Sequence, residues 1–190
     1  RTFWNEKSQK PSEYNRWERQ WERDIRDNFL SHFGTYAIDS LSTFIDAMSN
    51  QVSKAKGRDE GTLAIQDYKI IYNNIKDIIK LTSNQDVNFV LTAHLVDTKD
   101  EITGKISTEL AVYKSLKADI PLLFTEKYVL INQPAAGGIN RLLLTEDWKT
   151  YRASTQLGAN GKFKAQEEPD LTKLLKKAGM PTDSKPSLIA

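Results

Sequence analysis

A chain of 190 residues with 39% hydrophobic and 27% charged residues suits one soluble domain, or one domain with a tail. The formal net charge of +2 is too mild to announce nucleic-acid binding by itself, and the absence of cysteine excludes disulfides, thiolate metal sites and cysteine nucleophiles. No apolar run approaches the roughly 18 residues that cross a bilayer.

Residues 1–11 are polar, end in Pro11 and read as a linker without a visible signal peptide. The first residue is Arg1 rather than Met, so the true start is expected upstream. Ser12 and Glu13 then open a helix, and Tyr14, Trp17, Trp21, Ile25, Phe29 and Phe33 paint one apolar stripe along it at spacings of three and four. Trp17 and Trp21 read as packing residues, with nucleobase stacking as the alternative. Gly34 stops the helix. Thr35-Tyr36-Ala37-Ile38-Asp39-Ser40 follows as a short buried strand ending in an acid. A second helix carries Leu41, Phe44, Ile45, Met48 and Val52 on one side. The charged run Lys54–Gly61 is a solvated loop, and Ile65, Tyr68, Ile71, Tyr72, Ile75, Ile78 and Ile79 form a third helical stripe. Val87–His94 is a second strand. Alternating helices and strands indicate a mainly parallel sheet flanked by helices.

The second half changes character. Thr103-Gly104 separates Leu95–Ile102 from Lys105–Val112 as a hairpin turn. Ile120–Phe124 is an apolar corner. Tyr128–Asn132 and Ile139–Thr145 flank a longer loop, Pro134–Gly138, and Trp148–Arg152 adds a short strand. Glu167-Glu168-Pro169-Asp170 opens a last helix, Leu171–Ala178, stopped by Gly179 and Pro181. Residues 181–190 read as a frayed tail.

Two residues stand where open α/β sheets place ligand chemistry, at the C-terminal ends of strands: Asp39 and His94. Asp39 could instead cap the helix beginning near Leu41, and His94 could be structural. His32 receives no role. No G-x-x-x-x-G-K-[ST] loop is present; Gly104-Lys105 is the nearest fragment, lacking the earlier glycine and the following hydroxyl. G-x-S-x-G, H-E-x-x-H and EF-hand patterns are absent as well.

The runs FGTYAIDSLSTFIDAM, QDYKIIYNNIKDIIK, VNFVLTAHL, DEITGKI, IPLLFTEKYVLI, RLLLTEDWKTYRASTQLG and EEPDLTKLLKKAG, in that order, resemble phage-encoded RecA-like P-loop ATPases of the AAA type. The resemblance covers roughly residues 12–180, as one ATPase domain in its C-terminal portion, with Asp39-Ser40 and Thr92-Ala93-His94 its most specific pieces. It implies a RecA-like core with C-terminal β-hairpins and a terminal helix. It implies ATP and Mg²⁺ as cofactors, Asp39 as the Walker B acid holding the metal, Ser40 beside it, and His94 as the polar sensor of the γ-phosphate. Leu95–Leu110 would face nucleic acid, with Lys99 and Lys105 contacting phosphate backbone, although Asp97, Asp100, Glu101 and Glu109 dilute that field. Ser154 and Gln156 stand where relatives carry a basic pair, and Arg152 is the nearby substitute for contact with nucleotide. The phosphate loop would lie upstream. The implied protein is a phage ATPase in the cytoplasm of an infected bacterium, acting in DNA recombination or replication. Its expected partners are DNA, single-stranded by preference, further copies of itself and other phage replication or recombination proteins. No membrane partner is expected. A non-catalytic scaffold on a degenerate NTPase fold and a DNA-packaging motor component are the alternatives.

Overall fold

The computed structural model describes residues 7, 9–58, 62–183 and 185. Most of the linker expected over 1–11, part of the loop at 54–61 and most of the tail expected over 181–190 therefore lie outside the described residues. Where one domain over 12–180 is expected, the chain groups into two compact units. One comprises Arg1–His94, Ala111–Lys117 and Lys185–Ala190, and the other Leu95–Leu110 and Ala118–Ser184.

The first unit begins with α1, Glu13–Arg26, whose buried residues Tyr14, Trp17 and Trp21 keep the spacing of the apolar stripe. The two indoles stack at 5.6 Å, and Trp17 meets Phe44 edge-on at 4.7 Å. A buried indole N–H requires an acceptor. Trp17 Nε1 donates to the Tyr36 hydroxyl at 3.1 Å and Trp21 Nε1 to Thr82 Oγ1 at 3.0 Å. At 8% and 7% exposure, these rings offer no face to a nucleobase.

The helix ends earlier than a stripe reaching Phe33 implies. Asn28 adopts a left-handed φ of 52°, which asparagine tolerates better than most side chains, and a 3₁₀ turn over Phe29–His32 follows. Phe29 and Phe33 are consequently exposed.

β1, Thr35–Ile38, and β2, Asn88–Leu91, pair in parallel, with Ile38 opposite Leu91. Two helices make the crossover between them: α2, Leu41–Ala55, and α3, Ile65–Ser83. Phe44, Ile45 and Met48 of α2 and Ile71, Ile75, Ile78 and Ile79 of α3 are buried, as the stripes require, whereas Ile65 in the first turn of α3 is exposed. Arg58, read from the sequence as part of a solvated loop, pairs with the fully buried Asp67. Asp67 also accepts the Ala64 N–H at 2.8 Å, which closes the start of α3. The Ala64 N–H, with Arg58 assisting against the opposing effect of burial, holds the Asp67 carboxyl below its ordinary range. Lys185, the described residue nearest the chain end, is not frayed: its Nζ donates to the Ser31 and Asp86 carbonyls, both at 2.7 Å.

The expected mainly parallel sheet exists among the described strands only as the β1–β2 pair; the other four pairings are antiparallel. A parallel pair requires a crossover of about a dozen residues or more, and α2 with α3 supplies it between β1 and β2, whereas short turns join β3 to β4 and β6 to β7 and make those pairs antiparallel. β1 is also less buried than expected, since Ile38 is covered while Thr35 and Ala37 are exposed.

The second unit opens with the antiparallel hairpin of β3, Leu95–Lys99, and β4, Ile106–Leu110. Asp100 builds its turn by accepting the N–H groups of Thr103 at 2.8 Å and Ile102 at 2.9 Å. After α4, Lys114–Asp119, the apolar corner is a 3₁₀ turn, Ile120–Leu123. β5 is Glu126–Lys127, β6 Val129–Ala135, β7 Gly138–Leu144, β8 Ser154–Thr155 and β9 Gln166–Glu167. β5 pairs with β8, and β6, β7 and β9 form a three-stranded sheet.

The β6–β7 hairpin is tighter than the expected long loop. Pairing continues to Ala135 opposite Gly138, and Gly137 and Gly138 supply φ values of 101° and 147°. Pro134 fits because β6 is an edge strand. Alternation places Val129, Ile131 and Leu144 with Ala153 on one face of this sheet, and Leu143 with Phe163 and Leu174 on the other. α5 spans Leu171–Ala178, with Asp170 accepting the Lys173 N–H at 3.0 Å and Gly179 leaving at a φ of 83°.

Gly158 is buried, and a Cβ there would stand 2.6 Å from Phe163 Cδ2 and 2.7 Å from Thr155 Cγ2. Gly158→Ala is expected to cost about 1–3 kcal/mol through overpacking. Chemical denaturation of the two proteins measures this, and unchanged stability would show that the Phe163 ring moves aside freely.

Candidate functional site

The site is assembled where β1 and β2 end. The Thr92 N–H donates to the Ile38 carbonyl at 3.1 Å, and the Leu41 N–H donates to the Thr92 carbonyl at 2.8 Å. These bonds extend the parallel ladder one step past the strands and hold Asp39-Ser40 beside Thr92-Ala93-His94. The Asp39–Ser40 peptide is cis.

Asp39 does not cap α2. The N-cap is Ser40, whose N–H donates to Thr43 Oγ1 at 3.3 Å, while the two hydroxyls lie 3.3 Å apart. The Asp39 side chain is exposed, and its Oδ1 accepts a hydrogen bond from the Thr92 hydroxyl. His94 is exposed one residue beyond Ala93, at the same strand end.

From His94 the chain runs directly into the β3–β4 hairpin. It returns at Ala111, whose N–H donates to the His94 carbonyl at 2.8 Å. Ser42, in the first turn of α2, donates to the Ala111 carbonyl at 3.2 Å. Tyr113 shares a hydrogen bond of 2.9 Å with Ser49 and packs edge-on against Tyr68 at 4.8 Å. Burial pushes the Tyr113 phenol above its ordinary pKa, so it stays protonated in this contact. Within the first unit, His94 and Ala111 are thus bonded to each other, and Ala111 is bonded to the helix that starts beside Asp39.

Lys99, Lys105 and Arg152 belong to the second unit. Lys99 ends β3 and Lys105 precedes β4, and both are exposed. Of the two acids between them, Asp100 is committed to the turn: the Thr103 N–H, above all, holds its carboxyl below its ordinary range. Arg152 is engaged locally, with Nη1 2.7 Å from Asp147 and both side chains more than half exposed.

Ser154 and Gln156, at the positions expected for a basic pair, belong to a turn organised by Glu126. That carboxylate accepts the N–H groups of Gln156 and Leu157, both at 2.9 Å, and the hydroxyls of Thr155 and Tyr128. The segment is therefore built around an anion and presents no cation at either position. Nothing in the sequence near 154–157 signals this role for Glu126. Thr92 and Ser42 also lacked an assigned role in the sequence reading, although Thr92 sits inside the Thr92-Ala93-His94 run.

One exposed carboxylate, flanked by hydroxyls, is a hard oxygen site of the kind that holds Mg²⁺ when the ion keeps its waters and uses substrate phosphates. Among the described residues no three His, Asp or Glu side chains converge as a metal-binding group.

Comparison with known proteins finds no matching family model, no matching curated protein and no matching solved structure. No helix among the described residues is long and apolar enough to cross a membrane.

Proposed function

We propose that this chain carries the metal-and-sensor half of a RecA-like P-loop ATPase that acts on DNA. The observation supporting this reading is the state of Asp39. It ends one strand of an adjacent parallel pair, is released from helix capping by Ser40, and offers an exposed carboxylate oxygen. Ligands of open α/β sheets bind outside the carboxyl ends of such strands.

In this reading Asp39 holds Mg²⁺, directly or through water, and Ser40 lies beside it. When bound, the metal supplies charge neutralisation at the β- and γ-phosphate oxygens. His94 would be the polar side chain that senses the γ-phosphate, and Lys99 and Lys105 of the hairpin that follows it in the chain would meet the phosphate backbone of single-stranded DNA. Arg152 would reach nucleotide only by releasing Asp147. Oligomerisation through further copies, phage origin and partnership with replication or recombination proteins belong to the same proposal and rest on the resemblance alone.

The 190 residues contain no phosphate loop, so the test uses the complete reading frame. ATP binding is measured with Mg²⁺, in the presence and absence of single-stranded DNA. Mg²⁺-dependent binding supports the reading, and its absence in a frame that encodes no G-x-x-x-x-G-K-[ST] overturns it. His94→Ala is expected to lose stimulation of hydrolysis by DNA to a greater extent than the basal rate. Equal loss of both would make the histidine merely structural.

One observation favours a second reading, a non-catalytic scaffold on this fold. The turn at 154–157 is built around the carboxylate of Glu126, where an ATPase of this kind would need a cation. Such a scaffold would bind its partner proteins equally with and without ATP.

A further inference from the structure

The short strand expected over Trp148–Arg152 is instead a tight turn. Trp148 and Tyr151 exchange backbone hydrogen bonds at 3.2 and 3.0 Å, and Lys149 between them takes a left-handed φ of 54°. Residues paired in this way project their side chains to one face. The two rings stand parallel to within 8° with centres 6.3 Å apart, and Lys149 Nζ lies 4.1 Å from the centre of the Trp148 ring. Both rings rest on the cluster of Val129, Ile131, Leu144 and Ala153, yet each is only half-buried. Trp17 and Trp21 bond their indole N–H groups to protein, whereas among the described residues neither the Trp148 indole N–H nor the Tyr151 hydroxyl has a protein partner. Neither is a buried orphan, so both polar tips face solvent.

The turn is tied to the β3–β4 hairpin within the second unit. Thr108 of β4 donates its N–H to the Thr150 carbonyl at 3.3 Å, and the two hydroxyls lie 2.8 Å apart. The acids around this surface are largely engaged: Asp97 accepts the Thr108 hydroxyl at 2.7 Å and Asp147 pairs with Arg152, which leaves Glu146 unpaired. The bases of a single strand expose their π-faces and stack on aromatic side chains whatever their sequence, while nearby cations meet the phosphates. Resting on the reading that this chain acts on single-stranded DNA, we propose that the Trp148–Tyr151 turn is the surface on which the bases stack. Trp148 and Tyr151 supply the aromatic faces, and Lys149 supplies a cation at their rim. The tie through Thr108 joins this surface to the hairpin that carries Lys99, two residues along β3 from Asp97. At 3.3–3.4 Å per residue that is about 7 Å, so base and phosphate contacts fall on nearby nucleotides of one strand.

The experiment follows the fluorescence anisotropy of labelled oligothymidine, and of an abasic strand of the same length, titrated with the complete protein without nucleotide. Thermal midpoints are recorded alongside. Trp148→Leu keeps an apolar side chain on the cluster beneath but removes the ring, and Trp148→Phe keeps a ring. Trp148→Leu is expected to weaken binding of oligothymidine about tenfold, within the range of a lost base–aromatic stack. Trp148→Phe is expected to retain most of the affinity. On the abasic strand, which has no bases to stack, wild-type and Trp148→Leu proteins are expected to bind alike. Tyr151→Leu repeats the test at the second ring.

Leucine variants at both rings that bind oligothymidine as tightly as wild type overturn the inference. So does an equal loss on the base-bearing and abasic strands, because a ring that only supports the fold would weaken both together. The two levels separate cleanly. Wild-type protein that binds no single-stranded DNA removes the DNA reading and the stacking surface with it. Wild-type protein that binds tightly while both leucine variants are indifferent removes the stacking surface alone.

Discussion

Asp39→Ala is expected to abolish Mg²⁺-dependent ATP hydrolysis by the complete protein while leaving the fold intact. The side chain is exposed, so its removal opens no cavity, and α2 keeps its cap because that role belongs to Ser40. The loss is one of charge at the metal. Metal stabilisation of a transferring phosphoryl group is worth several kcal/mol, and about 1.4 kcal/mol is tenfold in rate, so a fall on the order of 100-fold or more is expected. Asp39→Asn sharpens the test. The amide oxygen can still accept from the Thr92 hydroxyl, so the strand ends remain tied, but the charge is gone. Steady-state phosphate release with unchanged circular dichroism checks both variants. An Asn variant with near wild-type activity would remove Asp39 from the metal site.

The largest expected loss of stability lies in the packing beneath this site. Phe44 is 1% exposed, meets the Trp17 ring edge-on at 4.7 Å and lies 5.6 Å from the Tyr14 ring. It stands in the first turns of α2, the helix that begins directly after Asp39-Ser40. Phe44→Ala leaves a cavity beside the Tyr14 and Trp17 rings and is expected to cost about 3–5 kcal/mol. Urea denaturation followed by tryptophan fluorescence reads this directly, because Trp17 is one of the rings that loses its contact. A cost below about 1 kcal/mol would show that α1 and α2 close the gap by moving together. Weakened ATP binding in this variant at temperatures where it remains folded would indicate that α1–α2 packing orients the strand end.

The mutations at Asp39 and Phe44 draw on different kinds of information. Phe44 was legible from its place in an apolar stripe, as were Trp17, Trp21, Ile71, Ile75, Ile78 and Ile79, because helical periodicity is written within a window of a dozen residues. The hairpin turn at Thr103-Gly104 and both ends of α5 were legible because turn and cap residues act on backbone groups only a few residues away, whereas the part Asp100 plays in that turn was not. The placement of Asp39 and His94 at strand ends was also visible locally. The stripe through Phe29 and Phe33 misled because periodicity carries no information about where Asn28 turns the chain.

By itself, then, the sequence determined the existence of α1, α2, α3 and α5, the turn at Thr103-Gly104 and two polar residues at the ends of strands, but not α4. The tertiary structure decided that β1 and β2 are neighbours in parallel, that Asp39 is tied to Thr92 across 53 residues rather than to the helix beside it, and that Glu126 gathers the turn 30 residues away. It also decided that Trp21 reaches Thr82 across 61 residues and that Arg58 answers a buried Asp67. The physical reason is the range of the forces involved. Capping, turn chemistry and amphipathic spacing act within one or two helical turns, whereas the partner of a strand end or a buried polar group is chosen by which distant segments hydrophobic burial brings together.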